Sequence, residues 1–430
     1  MLDIKFIRQN PDKVKEGIAK KQAKVDIDRL LELDAKKKAL TKKIEDLKSE
    51  QNKISKGVKE APTKTEAIAK DVDSQMYYET ITSARNLKNE IKGLEPELER
   101  IAKELEELMR RIPNLPLEEV PDGKDDTQNV VLREEGKKPE FDFKPRDHME
   151  IAEALDLIDT KRAAKVAGTR FGYIKGKAAL LQFALINLAF ELLMKEKFTP
   201  VVPPVMLKPE MMEAMGYTER GGEEIYFLEK DNLYLIGTSE QSIGAMHQGE
   251  IFEESEFPKR YAGFSTCFRR EAGAYGKDTR GILRVHQFDK VEMFSFCHPD
   301  KSREEHKFLL AMEEKLMQAL KIPYRVLNIC AGDLGDPAAA KYDIEAWMPG
   351  QGEYRETHST SNTTDYQMRR LNIKYRDTKT KKLEFVHALN GTAFAIGRML
   401  IAIIENYQQE NGSVEVPKVL QKYTGFKKIG

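Results

Sequence analysis

The chain has 430 residues, 40% hydrophobic and 33% charged, with 71 basic and 71 acidic residues and no formal net charge. That length accommodates two or three domains, and the balanced charge excludes a globally basic nucleic-acid binder, so any polyanion site has to be local. Three scattered cysteines, Cys267, Cys297 and Cys330, exclude a disulfide scaffold and a four-ligand zinc site and point to a reduced, intracellular setting.

The N-terminus, MLDIKFIRQNPDK, lacks the apolar core of a signal peptide. Leu30, Leu33, Leu40, Ile44, Leu47 and Ile54 then recur at three- and four-residue spacing, with Lys37 and Gln51 filling two seam positions. Ala84, Leu87, Ile91, Leu94, Leu98, Ile101, Leu105, Leu108 and Ile112 keep the alternation without a gap. This is a coiled-coil seam in two runs over about residues 26–112. A turn between Gly57 and Ser74, around Pro62, would fold the runs into an antiparallel hairpin. At about 1.5 Å per residue the second run extends roughly 55 Å. Pro96 beside Gly93 predicts a local kink there. From Lys20 to Lys64 there are 14 basic and 8 acidic residues, against 7 and 7 from Arg85 to Arg111. The first helix is therefore locally basic, which suits a phosphate backbone, although a solvated lysine face has the same composition.

Pro113-Asn114-Leu115-Pro116 ends the second helix, and the polar, Pro/Gly-punctuated stretch to about Pro145 reads as a linker. The expected organisation is thus a helical domain over 1–112, a linker over 113–145 and a larger domain over 146–430. In the last, Ile151–Lys165 and Ala178–Lys195 have helical patterns. The most apolar segment, Ala179–Met194, is short for a membrane span and carries Gln182, Asn187 and Glu191, so it reads as a core helix. Tyr226–Leu228, Leu233–Ile236, Tyr261–Cys267, Leu283–Phe288 and Lys290–Phe296 read as strands. They are not separated one by one by helices, so the fold class is α+β: an antiparallel sheet flanked by helices. Neither GxxxxGK[ST] nor GxGxxG after a strand occurs.

Arg398 stands in an apolar run, Gly391–Ile401, that reads as buried; a buried charge costs several kcal/mol unless paired, so Arg398 needs an anion. If Thr266–Glu271 is a strand, Arg269 and Glu271 share a face. The arginine can fork onto a phosphate while the carboxylate accepts from an exocyclic amine such as that of adenine; alone, the pair is more often a surface salt bridge. Arg284, Phe288 and Glu292 follow at even spacing, with Phe288 able to stack on a base or to pack in the core. Thr238-Ser239-Glu240 can hold an ammonium or cap a helix. Glu356 and Ser359 can hold a divalent metal on phosphates, or mark an exposed acid and a turn. His286 and His387 can be catalytic, but they sit at no nucleophile–base spacing, and a lone histidine is more often a satisfied structural one. Attack of a carboxylate on an α-phosphate is chemistry that needs little acid–base help and much charge neutralisation.

With these motifs in hand, the chain resembles the seryl-tRNA synthetases, a class II aminoacyl-tRNA synthetase family. Pro203-Pro204 after Phe198 looks like class II motif 1, Phe268–Glu271 like motif 2 and Gly391–Arg398 like motif 3. The hairpin, Asp159–Lys165, Arg170-Phe171 and Ser361–Gln367 extend the resemblance over essentially the whole chain. The resemblance implies an ATP site of Arg269, Arg270, Glu271, Arg284, Val285, Phe288, Glu356, Thr357, His358, Ser359 and Arg398. It implies a serine site of Thr238, Ser239, Glu240, Arg269, Glu292, Asn390 and Thr392. Arg269 and Arg398 would be catalytic, and Glu356 and Ser359 would hold Mg2+. Implied partners are L-serine, ATP and tRNA(Ser), with tRNA(Sec) left open as a second acceptor. The resemblance further implies a cytoplasmic homodimer with no membrane contact and a hairpin that meets the tRNA. Two other readings are a class II paralogue that loads a carrier protein, which should lack the hairpin and carry zinc-ligand cysteines, and a catalytically dead interaction protein.

Overall fold

The computed structural model describes residues 1–60, 74–219, 222–272, 278 and 280–430. The turn expected around Pro62 lies outside the described residues. The chain divides into two compact units.

One unit comprises Asp3–Lys15 and Lys24–Ile112. Its body is two long helices, α1 (Ile27–Glu60) and α2 (Ser74–Arg111). Ion pairs Arg29–Glu104, Lys43–Glu90 and Lys48–Glu95 join them; the 14-residue advance from Arg29 to Lys43 on α1 meets a 14-residue retreat from Glu104 to Glu90 on α2, so the pair is antiparallel. Every residue of the predicted seam is buried or half-buried. Leu30, Leu33 and Ile44 on α1 and Ile91, Ile101 and Leu105 on α2 are the most enclosed. Pro96 lies inside α2 without ending it. Arg8, on the short helix Ile4–Gln9, clamps the α1 residue Asp34 with two hydrogen bonds of 2.7 and 2.9 Å.

The other unit takes Met1–Leu2, Glu16–Ala23 and Pro113–Gly430. Its centre is an eight-stranded sheet. The strands are β1 (Val130–Glu135), β2 (Thr199–Val201), β3 (Lys259–Phe268), β4 (Gln287–Cys297), β5 (Tyr324–Asn328), β6 (Ala340–Met348), β7 (Glu353–Thr364) and β8 (His387–Ala395). Their order across the sheet is β1-β5-β6-β7-β8-β4-β3-β2. All neighbours are antiparallel except the edge pair β2 and β3.

Alternation along β4 explains its two packing faces. Val291 and Met293 join a core with Leu181 and Leu185 of α3 (Gly176–Lys195), Leu309 and Leu316 of α4 (Ser302–Leu320) and Ile401 and Ile403 of α5 (Ile396–Asn406). Phe294 and Phe296 join a second core with Met212, Met215, Met368 and Leu371. Among the described residues α3 alone is long and apolar enough to cross a membrane, and 44% of its apolar window is buried inside the unit.

Three expectations need correction. The stretch read as a linker carries β1, the sheet's edge strand; all six of its residues are exposed, so it has no buried face to leave a hydrophobic alternation. The helix expected over Ile151–Lys165 is two helices, His148–Ala154 and Thr160–Ala167, separated by a left-handed Asp156 and a short strand, Ile158–Asp159. The strand expected over Leu283–Phe288 starts only at Gln287. Before it, Gly281 adopts a positive φ of 83° and packs so close to the His148 ring that a side chain would collide.

Two β-bulges re-aim side chains on the cavity face of the sheet. Between β6 and β7, Ile344 pairs with His358 and Glu345 with Glu356, leaving Thr357 as the extra residue. Between β4 and β8, Val291 pairs with Phe394 and Glu292 with Thr392, leaving Ala393 extra. Each extra residue reverses the facing of those beyond it.

Candidate active site

One face of β3, β4, β6, β7 and β8, with the start of α5, bounds a cavity of about 690 Å³. One end is rich in arginine. Arg269, just beyond β3, is fixed by its chain: its N–H donates to His286 O and its carbonyl accepts from His286 Nδ1, both at 3.0 Å. Its Nε donates to Gly237 O at 3.2 Å, and its guanidinium lies 5.4 Å from the centre of the Phe288 ring. β3 ends at Phe268, so strand alternation does not carry Glu271 into the cavity; a left-handed backbone at Glu271 (φ 51°) accompanies its placement there. Arg284 donates to Asp278 at 3.0 Å and sits 3.6 Å from Glu271.

Arg398 is not sealed in the core. It stands in the first turn of α5 with its side chain 21% exposed, and its Nη1 donates to Glu356 Oε1 at 3.0 Å. The anion that pairs with Arg398 is thus Glu356. Desolvation at the cavity wall opposes the charged form of Glu356, but Arg398, Lys341 and Arg269 outweigh it and bring its carboxyl down to about 2. Glu356 and Ser359 are three apart on one strand and would face opposite ways; the bulge at Thr357 puts both on the cavity. Ser359 pairs across the sheet with Asp343, whose carboxyl burial pushes up to about 6, and Asp343 contacts Lys341 at 3.2 Å.

The other end is rich in carboxylates. Glu240 opens the helix Glu240–Ala245 and accepts from the Tyr217 hydroxyl. Burial and the neighbouring charge of Glu292 push its carboxyl up to about 7, against the pull of Lys290. Glu292, 1% exposed, pairs with Lys290 Nζ at 2.6 Å and accepts from Thr392 Oγ1 at 3.4 Å. Thr238 and Asn390 line the same end. Chemically, Glu240 and Glu292 can pair with a cation, and Arg269, Arg284 and Arg398 with anions, in the same cavity.

Three residues expected at the site do not line it. Arg270 turns its Nε onto Ile225 O at 3.0 Å and lies over the Tyr226 ring, because the chain leaves β3 just before it. His358 is buried on the far face of β7 against Phe394, since the bulge places only its neighbours on the cavity. Ser239 is fully buried and directs its hydroxyl at Gly263 O. Val285 and Thr357 do line the cavity. Lys290, Lys341, Tyr217, Ser361 and Thr363 line it without having been predicted. Lys290 was readable, since it falls between Phe288 and Glu292 on the same even-numbered face. Tyr217 left no local signal.

The residues present suit a hard divalent cation only in part. Among the described residues no three His, Cys, Asp or Glu side chains gather as a metal cluster. Glu356 and Ser359 supply one carboxylate and one hydroxyl, a small oxygen set of the kind Mg2+ accepts when phosphates and water complete its shell.

Residues 1–116 match the model of the seryl-tRNA synthetase N-terminal domain, and residues 226–407 match that of the tRNA synthetase class II core domain (G, H, P, S and T). Serine–tRNA ligase from Dictyoglomus turgidum is 45% identical, covering 100% of this chain and 99% of its own. That from Thermobifida fusca is 46% identical, covering 99% and 98%. The chain belongs to the seryl-tRNA synthetase family. It is an aminoacyl-tRNA synthetase of the class II type. Seryl-tRNA synthetase from Pyrococcus horikoshii, solved in complex with ATP, superposes with a TM-score of 0.91 at 42% identity, covering 100% of this chain and 99% of that one. The cytoplasmic serine–tRNA ligase of Naegleria fowleri, solved with AMP, gives 0.86 at 36% identity, with 100% and 98% covered. A prolyl-tRNA synthetase from Giardia lamblia, 16% identical over 63% of this chain and 54% of its own with a TM-score of 0.56, shares the fold.

Proposed function

We propose that this cavity activates L-serine with ATP to seryl-adenylate and pyrophosphate and then passes serine to the terminal ribose of tRNA(Ser). The observation that carries this reading is a single cavity lined by Glu240 and Glu292 together with Arg269, Arg284 and Arg398. Glu240 and Thr238 take the serine ammonium. Glu292 and Thr392, with Asn390 beside them, read the serine hydroxyl; an analogue without it would leave buried polar groups unpaired. The serine carboxylate then points at the α-phosphate. Arg269 holds that phosphate and neutralises the charge that builds on it, while pyrophosphate leaves toward Arg284 and Arg398. Phe288 stacks on adenine, and Glu271 accepts from its amine. Glu356 and Ser359 would hold Mg2+, which would supply positive charge to the outer phosphates. No side chain has to move a proton in the first step.

The hairpin α1–α2 meets the tRNA through phosphate and shape rather than base edges. A homodimer and a cytoplasmic setting complete the proposal; exposed Leu180 and Phe183 on α3 and exposed Val202 beyond β2 support a self-association face. The deciding experiment is ATP–pyrophosphate exchange screened across the amino acids, followed by charging of serine and selenocysteine tRNA transcripts. Serine-dependent exchange with charging supports the proposal. Exchange without charging would favour the carrier-protein reading, and no exchange would sink the enzyme reading.

A further inference from the structure

Lys21 follows directly on the helix Pro11–Lys20 and is completely buried. A buried ammonium is tolerated only where acceptors surround it. Here Nζ donates to Gly335 O at 2.8 Å, Ala338 O at 2.6 Å and Asp336 O at 3.3 Å. Asn114 reaches the same loop. Its N–H donates to Asp336 O at 2.9 Å, and its Nδ2 donates to Pro337 O at 2.9 Å and Thr363 O at 2.8 Å. The Leu117 N–H takes Ala339 O at 2.9 Å. Five consecutive carbonyls, 335 to 339, are thus all engaged by two short segments: the one that precedes α1 and the one that follows α2 in the sequence.

The other side of this loop faces the cavity, where Gly335, Pro337 and Ala338 form part of the wall. Pro337 also packs against Gly216, within 3.3 Å of where a Cβ there would stand. The next residue, Tyr217, donates to Glu240. We infer that Lys21 and Asn114 are positioning residues for the serine end of the cavity: they fix the 335–339 loop, the loop seats Gly216-Tyr217, and Tyr217 orients Glu240. Neither residue touches the cavity itself. The inference rests on the assignment of Glu240 to the serine ammonium.

The test is ATP–pyrophosphate exchange by the full-length protein with Lys21→Met, Lys21→Arg and Asn114→Ser, measuring the KM for serine and for ATP separately. Displacing a substrate-orienting group by a fraction of an ångström costs about tenfold or more. The expected result is a serine KM raised at least about tenfold in Lys21→Met and Asn114→Ser, an ATP KM within about twofold of the parent, and partial recovery in Lys21→Arg. An unchanged serine KM overturns the inference. So does an equal rise in both KM values with a lowered Tm, because that is what general loosening gives. If Lys21→Met does not fold, Asn114→Ser decides alone. A parent protein without serine-dependent exchange would instead remove the functional reading beneath the inference.

Discussion

Arg398 and Glu356 hold each other across the phosphate end of the cavity, with Nη1 at 3.0 Å from Oε1 and 2.9 Å from the Glu356 carbonyl oxygen. Arg284 is held in the same way by Asp278. The two arginines assigned to the outer phosphates are therefore each oriented by a carboxylate, Glu356 for Arg398 and Asp278 for Arg284.

Arg398→Ala should leave the fold unchanged, since the side chain is partly exposed, and should lower kcat/KM for ATP in exchange by about 100-fold or more. Arg398→Lys should recover little, because an ammonium cannot reproduce the planar fork. Near-parental kcat/KM in Arg398→Ala would remove it from the phosphate role.

Serine binding should depend on pH through Glu240. Burial, and after it the charge of Glu292, push its carboxyl up to about 7. The serine ammonium requires the charged form. The serine KM should therefore rise as pH falls below about 7, by up to about tenfold per pH unit, while the ATP KM moves less. Glu240→Gln should bind serine poorly at every pH and lose this dependence. A serine KM flat from pH 6 to 8 in the parent would contradict the assignment.

Buried imidazoles predict acid sensitivity. Desolvation lowers His306 to about 4 and His358 to about 3. Between pH 6.5 and 4 the unfolded chain binds protons that these two residues in the fold refuse, so the stability they permit at neutral pH is lost as pH falls. The slope is about 1.4 kcal/mol per pH unit for each residue. Carboxyls raised by burial, Glu240 and Asp343 among them, act in the opposite direction, so the comparison has to be differential. The urea midpoint of His358→Gln should fall less than the parent's between pH 7 and pH 5.

The hairpin should separate the two half-reactions. Replacing residues 30–112 with a short linker should spare serine-dependent exchange and cripple charging of serine tRNA; undiminished charging would reduce the hairpin to a spacer. Within it, Ile44→Ala should cost about 2–5 kcal/mol, because Ile44 is enclosed between the helices. Lys48→Ala breaks only the exposed pair with Glu95 and should leave the unfolding midpoint unchanged.

The sequence was most legible where one period governs a long segment. The α1–α2 seam could be read residue by residue because helical spacing alone decides which side chains are enclosed. The site was legible in membership more than in mechanism. Arg269 and Glu271 were grouped by strand alternation, yet the strand stops at Phe268 and a left-handed turn places Glu271. Arg270, His358 and Ser239 are implied by the family resemblance, and local backbone geometry turns each away from the cavity. Tyr217 and Lys341 come to the site only through tertiary packing, which no short window of sequence encodes. β1 was missed because an exposed edge strand carries no hydrophobic period.

The bulged residues Thr357 and Ala393 give the cavity a grammar based on counting. Thr392 faces inward before the second bulge, and Ala395 and Gly397 after it. Adding or deleting one residue between Thr392 and Arg398 would swing the guanidinium by about 100° around the helix start and present the core with a charge. Substitution of the letters in that stretch is open wherever volume permits. Its length is not, and neither is the three-residue step from Glu356 to Ser359. An insertion scan across these two intervals should find a frame as strict as any codon's, in a segment whose individual residues say little.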